Sequence, residues 1–233
     1  MPKPYVSSII VAAGSGSRMK AGVNKQYLYL NGIPVLARTL LAFQKCELID
    51  EIILVIGRND IELCNKEVIK PYRIKKIKGI VCGGTTRQES MYNGLKEVSK
   101  KSEIVLTHDG ARPLIHQETL IKAIKGTIEN GATIVAVPVK ETIKIIDDDY
   151  NVNTTPQRST LWSVQTPQTF KYKLLLDAHK KAIEDDYVGT DDSMLVERLN
   201  HPIKVIKGYY DNIKITTPED LIMAESIIKI LPK

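Results

Sequence analysis

The chain has 233 residues, 43% of them hydrophobic, with 33 basic and 27 acidic side chains and a net charge of +6. That is enough apolar material for one sizeable core in a single domain over 1–233, and the modest basic excess suits small anionic ligands better than a nucleic-acid coat. Three cysteines without a C-x-x-C pair, four histidines without ligand spacing, no apolar signal core and no apolar run near the ~20 residues of a membrane span argue against a disulfide framework, a zinc site and a membrane protein, and fit a reducing cytoplasm.

The first strand is expected over 6–11, a nearly continuous β-branched run that opens into Ala12-Ala13-Gly14-Ser15-Gly16-Ser17-Arg18-Met19, with a second cation at Lys25. Glycines let backbone N–H groups turn toward phosphate oxygens, and Arg18 and Lys25 add full charges where amides supply only dipoles. Two familiar glycine loops fail here. A dinucleotide fingerprint needs glycine where Met19 stands and an acid after the second strand, which instead runs into Gly57-Arg58; a P-loop needs Gly-Lys-Ser/Thr, which is missing. The segment also suits a tight βα turn with solvated cations.

A helix follows from Pro34 through Phe43, then a strand over 52–56, a basic connection at 70–78 without RNA-binding aromatics, and a strand over 80–82 that ends in Gly83-Gly84-Thr85-Thr86-Arg87. A helix over 87–98 places Met91, Leu95 and Val98 on one face; a strand over 104–107 ends in His108-Asp109-Gly110-Ala111-Arg112; a helix over 117–128 and a strand over 133–137 follow. Strands buried on both faces and alternating with helices predict a doubly wound, mostly parallel twisted sheet, a Rossmann-like α/β fold whose ligands sit beyond the strands' carboxyl ends. The alternation breaks over 140–162, where Ile143, Ile145 and Ile146 lead to Asp147-Asp148-Asp149 and then a polar stretch, the pattern of a β-hairpin arm leaving the sheet. Helices over 172–184 and 192–199 and a strand over 203–206 precede a last helix, with Thr217 as its expected N-cap and Pro218 at its first position.

Several residues at these strand ends suit a nucleotide site. Arg18 and Lys25 suit a triphosphate, Arg by bidentate contact and Lys as a point charge. The Gly84, Thr85 and Ser90 segment suits a flat base edge, or simply a helix N-terminus. Asp109 is a candidate Mg²⁺ ligand, since nucleotide-bound Mg²⁺ takes one or two carboxylates, or else an ion-pair partner of Arg112. Arg112 and Arg158 suit a second phosphate. Lys214, in Asp211-Asn212-Ile213-Lys214, is expected at a strand-like edge facing the site, and any of these cations alone also suits a solvated surface.

Six ordered blocks together resemble the 2-C-methyl-D-erythritol 4-phosphate cytidylyltransferases of the non-mevalonate isoprenoid pathway, nearly end to end: Ala12 to Met19 with Lys25-Gln26-Tyr27, Gly83-Gly84 with Arg87 and Ser90, His108 to Pro113, Leu161-Trp162 with Thr166-Pro167-Gln168, Thr190-Asp191, and Asp211 to Lys214. The resemblance implies a Rossmann-like nucleotidyltransferase fold with a protruding arm, CTP and methylerythritol phosphate as substrates, and Mg²⁺ or another divalent cation. It carries catalytic roles onto Arg18, Lys25 and Lys214, and nucleotide contacts onto Ala12, Ala13, Gly14, Gly16, Gly84, Thr85 and Ser90. Acceptor contacts fall on Asp109, Arg112, Thr142, Arg158, Thr166 and Lys214, with Asp109 also the metal position. The family's arm reaches into a partner subunit, which implies a homodimer in which Thr142 and Arg158 serve the neighbour's site. The rivals are a ribitol 5-phosphate cytidylyltransferase and a non-catalytic nucleotide-binding sensor that keeps the loop.

Overall fold

The computed structural model describes residues 3–14 and 24–230. In chain order the strands and helices are β1 (Val6–Ala12), β2 (Tyr29–Leu30), β3 (Ile33–Pro34), α1 (Val35–Lys45), β4 (Glu51–Ile56), α2 (Ile61–Cys64), β5 (Ile77–Cys82), α3 (Arg87–Lys96), β6 (Ile104–Asp109), α4 (Gln117–Asn130), β7 (Ala132–Pro138), β8 (Ile145–Ile146), β9 (Val152–Thr154), β10 (Trp162–Lys171), α5 (Tyr172–Glu184), α6 (Asp192–Glu197), β11 (Lys204–Lys207) and α7 (Pro218–Ile230). One sheet has the order β11-β7-β10-β6-β1-β4-β5. Its pairs are parallel except those made by β10, which runs antiparallel to both β6 and β7. The expected doubly wound, mostly parallel architecture is what the chain adopts.

Strand periodicity sends successive side chains to opposite faces, and both faces are covered. Ile10, Ile52, Leu54 and Ile56 pack with Leu36, Leu40 and Phe43 of α1 and Leu120 and Ile124 of α4. Their neighbours Ile9, Ile53 and Val55 pack on the other side with Met91 and Leu95 of α3 and Leu175 and Ala178 of α5. A third cluster seats α7 through Ala224 against Leu30, Val35, Leu114 and Ile215.

Two elements, β10 and the β2–β3 hairpin, go beyond the expectations. The stretch 163–171, assigned to no element from the sequence, is with Trp162 the strand β10, an interior strand despite Pro167; the ladder to β7 shifts register between Val164 and Gln168, and that irregularity is what accommodates a residue without an N–H. The small β2–β3 hairpin turns at Asn31 and Gly32, whose φ values of 47° and 74° give the left-handed turn that Asn-Gly favours. α7 starts at Pro218 with Thr217 before it, as expected, and the Asp220 carboxylate also gathers the first turn, accepting from the N–H groups of Thr216 and Thr217 at 2.8 and 2.9 Å.

The arm is present as an exposed antiparallel pair, β8 with β9, whose turn is held by Asp147 Oδ1 accepting from the N–H groups of Asp149 and Asn151. It leaves after β7 and returns as β10, with Trp162 paired to Pro138 at its base. Among the described residues no helix is long and apolar enough to cross a membrane.

Candidate active site

A cleft of about 500 Å³ opens at the carboxyl ends of β1, β5 and β6, lined by Ala12, Ala13 and Gly14, by Lys25 and Gln26, by Gly84 to Arg87 with Ser90, by Asp109 and Ala111, and by Lys214 and Thr216. Eight of the expected site residues meet here: Ala12, Ala13, Gly14, Lys25, Gly84, Thr85, Ser90 and Asp109, with Lys214 as a ninth. Arg18 and Gly16 lie outside the described residues.

Lys25 opens a single turn of 3₁₀ helix, Lys25–Tyr27. Its neighbours anchor that turn: buried Gln26 donates from Nε2 to the Ala12 carbonyl at 2.8 Å, and Asn24 donates to Asp60 Oδ2 at 2.9 Å. The turn is thereby tied to the end of β1 and to the segment after β4. This places the cation in the cleft wall.

The loop after β5 approaches β1 so closely that a Cβ on Gly83 would stand 2.3 Å from the Ala13 Cβ, and one on Gly84 would stand 2.4 Å from the Glu89 Cβ. Glycine is required there for space, not for a left-handed backbone. The loop is then closed by the start of α3. Thr86 caps the helix by accepting from the Glu89 N–H, and the Glu89 carboxylate accepts from the Thr85 N–H and hydroxyl at 2.7 and 2.6 Å. Ser90 Oγ accepts from the Gly84 N–H at 3.0 Å and donates to the Thr86 carbonyl at 2.8 Å. The Ser90 hydroxyl therefore shapes the loop that a base edge would meet.

Asp109 ends β6 and is the one carboxylate among the described residues that line the cleft. Its Oδ2 takes Lys214 Nζ at 2.9 Å and Arg112 Nε at 3.5 Å, while Oδ1 faces Arg87 Nε at 3.8 Å. Burial, the largest single influence, pushes its pKa up, but Lys214, Arg87 and Arg112 together outweigh it and hold the carboxyl at about 2. The Asp109–Arg112 pair exists, then, as one limb of a cluster of three cations around one carboxylate.

Behind Asp109 stands a layer of buried polar groups. Thr166 Oγ1 meets His108 Nδ1 at 2.9 Å and accepts from the Asp109 N–H at 3.2 Å. His108 is buried completely, and desolvation takes its pKa down to about 4, so it is neutral at pH 7. Because β10 runs antiparallel, the part that reaches the cleft edge is its amino-terminal half, which is how Thr166 comes to lie against the end of β6.

Lys214 does not sit on a strand. It lies on an extended connection between β11 and α7, pinned by buried Ile215, whose N–H bonds the Ala111 carbonyl at 2.9 Å, and by buried Asn212. Asn212 donates to Gln165 Oε1 and to the Thr166 carbonyl at 3.1 and 3.0 Å, and Arg112 donates to the Asn212 carbonyl at 2.8 Å. Arg112 and Thr166 thus stand one layer behind the cleft wall. Thr142 and Arg158 are elsewhere, exposed on the arm, with Arg158 donating to the Lys140 carbonyl at 3.1 Å.

Arg87, Gln26, Thr86, Thr216, Asn212 and Asp192 were given no role on the basis of sequence. Arg87 did carry a signal: a cation in the first turn of a helix opposes the positive end of the dipole and needs a carboxylate to explain it. Asp192 supplies one, at 3.0 Å from Arg87 Nη2.

A Rossmann-like sheet whose carboxyl edge gathers a glycine-lined loop, fixed cations and one ionised carboxylate defines a nucleotide-handling transferase. Residues 6–230 match the model of the family described as IspD, 2-C-methyl-D-erythritol 4-phosphate cytidylyltransferase. The chain is 52% identical over 223 residues to the 2-C-methyl-D-erythritol 4-phosphate cytidylyltransferase of Alkaliphilus oremlandii, covering 96% of this chain and 94% of that one, and 48% identical to the one from Syntrophus aciditrophicus, covering 97% of each. Its fold matches the crystal structure of 4-diphosphocytidyl-2C-methyl-D-erythritol synthase from Anaerococcus prevotii with a TM-score of 0.87 at 41% identity, covering 97% of both chains. The chain belongs to the 2-C-methyl-D-erythritol 4-phosphate cytidylyltransferase family.

Proposed function

We propose that this enzyme transfers the cytidylyl group of CTP to 2-C-methyl-D-erythritol 4-phosphate, giving 4-diphosphocytidyl-2-C-methyl-D-erythritol and pyrophosphate in non-mevalonate isoprenoid precursor synthesis. The observation that carries the reading is the Asp109 cluster, with Lys214 at 2.9 Å, opening into the same cleft as Lys25 and the Gly84 loop. One end suits a nucleotide and the other a phosphorylated polyol.

The chemistry follows from charge. A phosphate monoester with a second pKa near ~6 is largely dianionic at pH 7, so its oxygen is a nucleophile without a general base. The acceptor oxygen forms a bond to the α-phosphorus of CTP as the bond to the bridging oxygen of the β-phosphate breaks, and pyrophosphate leaves with that electron pair. The barrier is the approach of one anion to another. Lys25 and Lys214, with Arg18, are assigned to neutralise it and to hold the reacting groups in line, which is catalysis by positioning and electrostatics. Ala12, Ala13, Gly14 and Gly16 cradle the nucleotide beside Gly84, Thr85 and Ser90, while Asp109 and Lys214 orient the acceptor, supported by Arg112 and Thr166.

A divalent cation, Mg²⁺ in the first instance, fits this donor set in one way. Among the described residues no cluster of three metal-binding side chains exists, so the protein offers the single ionised Asp109, which matches the one or two carboxylates that nucleotide-bound Mg²⁺ takes. Asp109 is the residue that would hold it, and its chemistry would be to neutralise triphosphate charge.

The arm is assigned to a second copy of the chain. Thr142 and Arg158 stand on it, away from the cleft, and its Ile143, Ile145, Ile146 and Val152 are exposed in the single chain. A homodimer in which each arm completes the neighbour's site accounts for both facts. The free cysteines, Cys46 and Cys64 buried and Cys82 partly so, suit the reducing cytoplasm.

Product analysis tests the transfer. Incubated with CTP, Mg²⁺ and methylerythritol 4-phosphate, the enzyme is expected to form a species whose ³¹P spectrum shows two coupled diphosphate-diester resonances, with one pyrophosphate per product. Formation of CMP or CDP alone would overturn the reading.

A further inference from the structure

We propose that Arg87 is a positioning residue, braced from behind by Asp192, which holds the Asp109 carboxylate in the orientation that Lys214 and the acceptor require. The inference rests on the transfer reading above and adds two residues to which that reading gives no part.

Arg87 begins α3, where a cation is disfavoured by the helix dipole, so its placement has to be supported by carboxylates. Two are supplied, to different nitrogens of the guanidinium. Nη2 donates to Asp192 Oδ2 at 3.0 Å, and Nε faces Asp109 Oδ1 at 3.8 Å. The planar fork of Arg can address two carboxylates at a fixed angle, which the point charge of Lys cannot.

The brace is itself immobile. The Asp192 side chain is 1% exposed, and the N–H groups of Asp192 and Ser193 both donate to Gln168 Oε1 at 3.1 Å, tying the first turn of α6 to β10. Its other oxygen, Oδ1, is faced by fully buried His179 at 3.4 Å. A line of fixed groups therefore runs from the layer of α5 and α6, through Arg87, to the cleft.

At its end, Asp109 has one oxygen on Lys214 and the other toward Arg87. With a cation on each side the carboxylate cannot swing about its χ2 without losing a partner. Remove Arg87 and Oδ1 loses the guanidinium that faces it, so the carboxylate follows Lys214 and Arg112 and the acceptor end of the cleft loses its geometry. The nucleotide loop is held separately, by Thr86, Glu89 and Ser90.

The test is steady-state pyrophosphate release with CTP saturating and methylerythritol 4-phosphate varied, alongside CTP binding by calorimetry without acceptor. Arg87→Gln is expected to raise the acceptor KM by about tenfold while leaving the CTP Kd within about twofold, and Asp192→Asn to do the same to a smaller extent. Asp192→Asn, which keeps the shape, serves if Arg87→Gln does not fold. In an Asp109→Asn background Arg87→Gln is expected to cost nothing further, because its effect passes through that carboxylate. An unchanged acceptor KM, an equal further loss without Asp109, or an equal loss of CTP affinity would overturn the proposal. Parent enzyme that releases no pyrophosphate with this acceptor would overturn the transfer reading and this inference with it, whereas an active parent indifferent to Arg87 would overturn the inference alone.

Discussion

The cleft and the arm carry acceptor residues in opposite ways. In the cleft, Asp109, Lys214 and Lys25 are each fixed by the chain's own core: a strand end, a buried Asn212–Ile215 anchor, a Gln26 hydrogen bond to β1. On the arm, Thr142 and Arg158 are exposed, and the hydrogen bonds nearby close local turns. A side chain that must act on a dianion within a fraction of an ångström needs a rigid support. The cleft supplies that support from within one chain, whereas the arm, in the proposed dimer, takes it from a second copy. On the proposed reading, half of the acceptor site is a property of the fold and half a property of assembly.

The sharpest way to break the cleft side of this comparison is Lys25→Ala. Loss of a fixed cation facing developing charge is expected to cut turnover by on the order of 10²–10³ with the circular-dichroism spectrum unchanged, and a variant with near-parent turnover would remove Lys25 from the mechanism.

The next effect is on stability. His108 has a folded pKa of about 4 against an ordinary value of 6.5, so between those values the unfolded chain binds a proton that the folded one does not. Its contribution is present above 6.5 and lost as the pH falls toward 4, by roughly 3 kcal/mol in all. Urea titrations at pH 7, 5.5 and 4.5 should show this slope, and His108→Gln should flatten it; an unchanged slope would mean that His108 titrates normally.

Asp109→Asn comes third. It leaves Lys214 and Arg112 without the carboxylate that joins them to the Arg87–Asp192 pair, and kcat/KM for the acceptor should fall by roughly 10–100-fold in the same pyrophosphate assay.

The smallest effect addresses the arm. Lys25→Ala and Arg158→Ala should each be nearly inactive alone, but a purified heterodimer of the two, isolated with two tags, has one cleft with an intact Lys25 facing an intact arm and should recover about half the parent activity. An arm that served its own cleft would give no recovery.

How much of this was legible in the residues depends on where the physical cause lay. The central strands β1, β4, β6 and β7 were readable because both faces are buried and the runs are largely apolar, the edge strand β5 by its short Ile80–Cys82 run, and the glycine and charge clusters at their ends marked the cleft. β10 was not readable: Pro167 and six polar side chains disguise a strand whose place is set by pairing with β6 and β7. The β2–β3 hairpin was readable in principle, since Asn31-Gly32 between apolar residues is a strong turn signal. At the site, residue types with intrinsic chemistry stood out, whereas Asn212, Gln168 and Asp192 act by holding others, and which partners they hold is settled only by the tertiary fold. The departure at Lys214 has the same origin, because its segment is pinned by a single backbone bond from Ile215 to Ala111 and by the Asn212 and Arg112 side chains rather than by a ladder.

The central claim is that the cleft brings CTP together with a branched polyol phosphate. Its most direct test is pyrophosphate release from purified enzyme with CTP and Mg²⁺, run side by side with methylerythritol 4-phosphate and with ribitol 5-phosphate at equal concentration. The account expects release with methylerythritol 4-phosphate and little with ribitol 5-phosphate; preference for ribitol 5-phosphate, or release with neither, would contradict it.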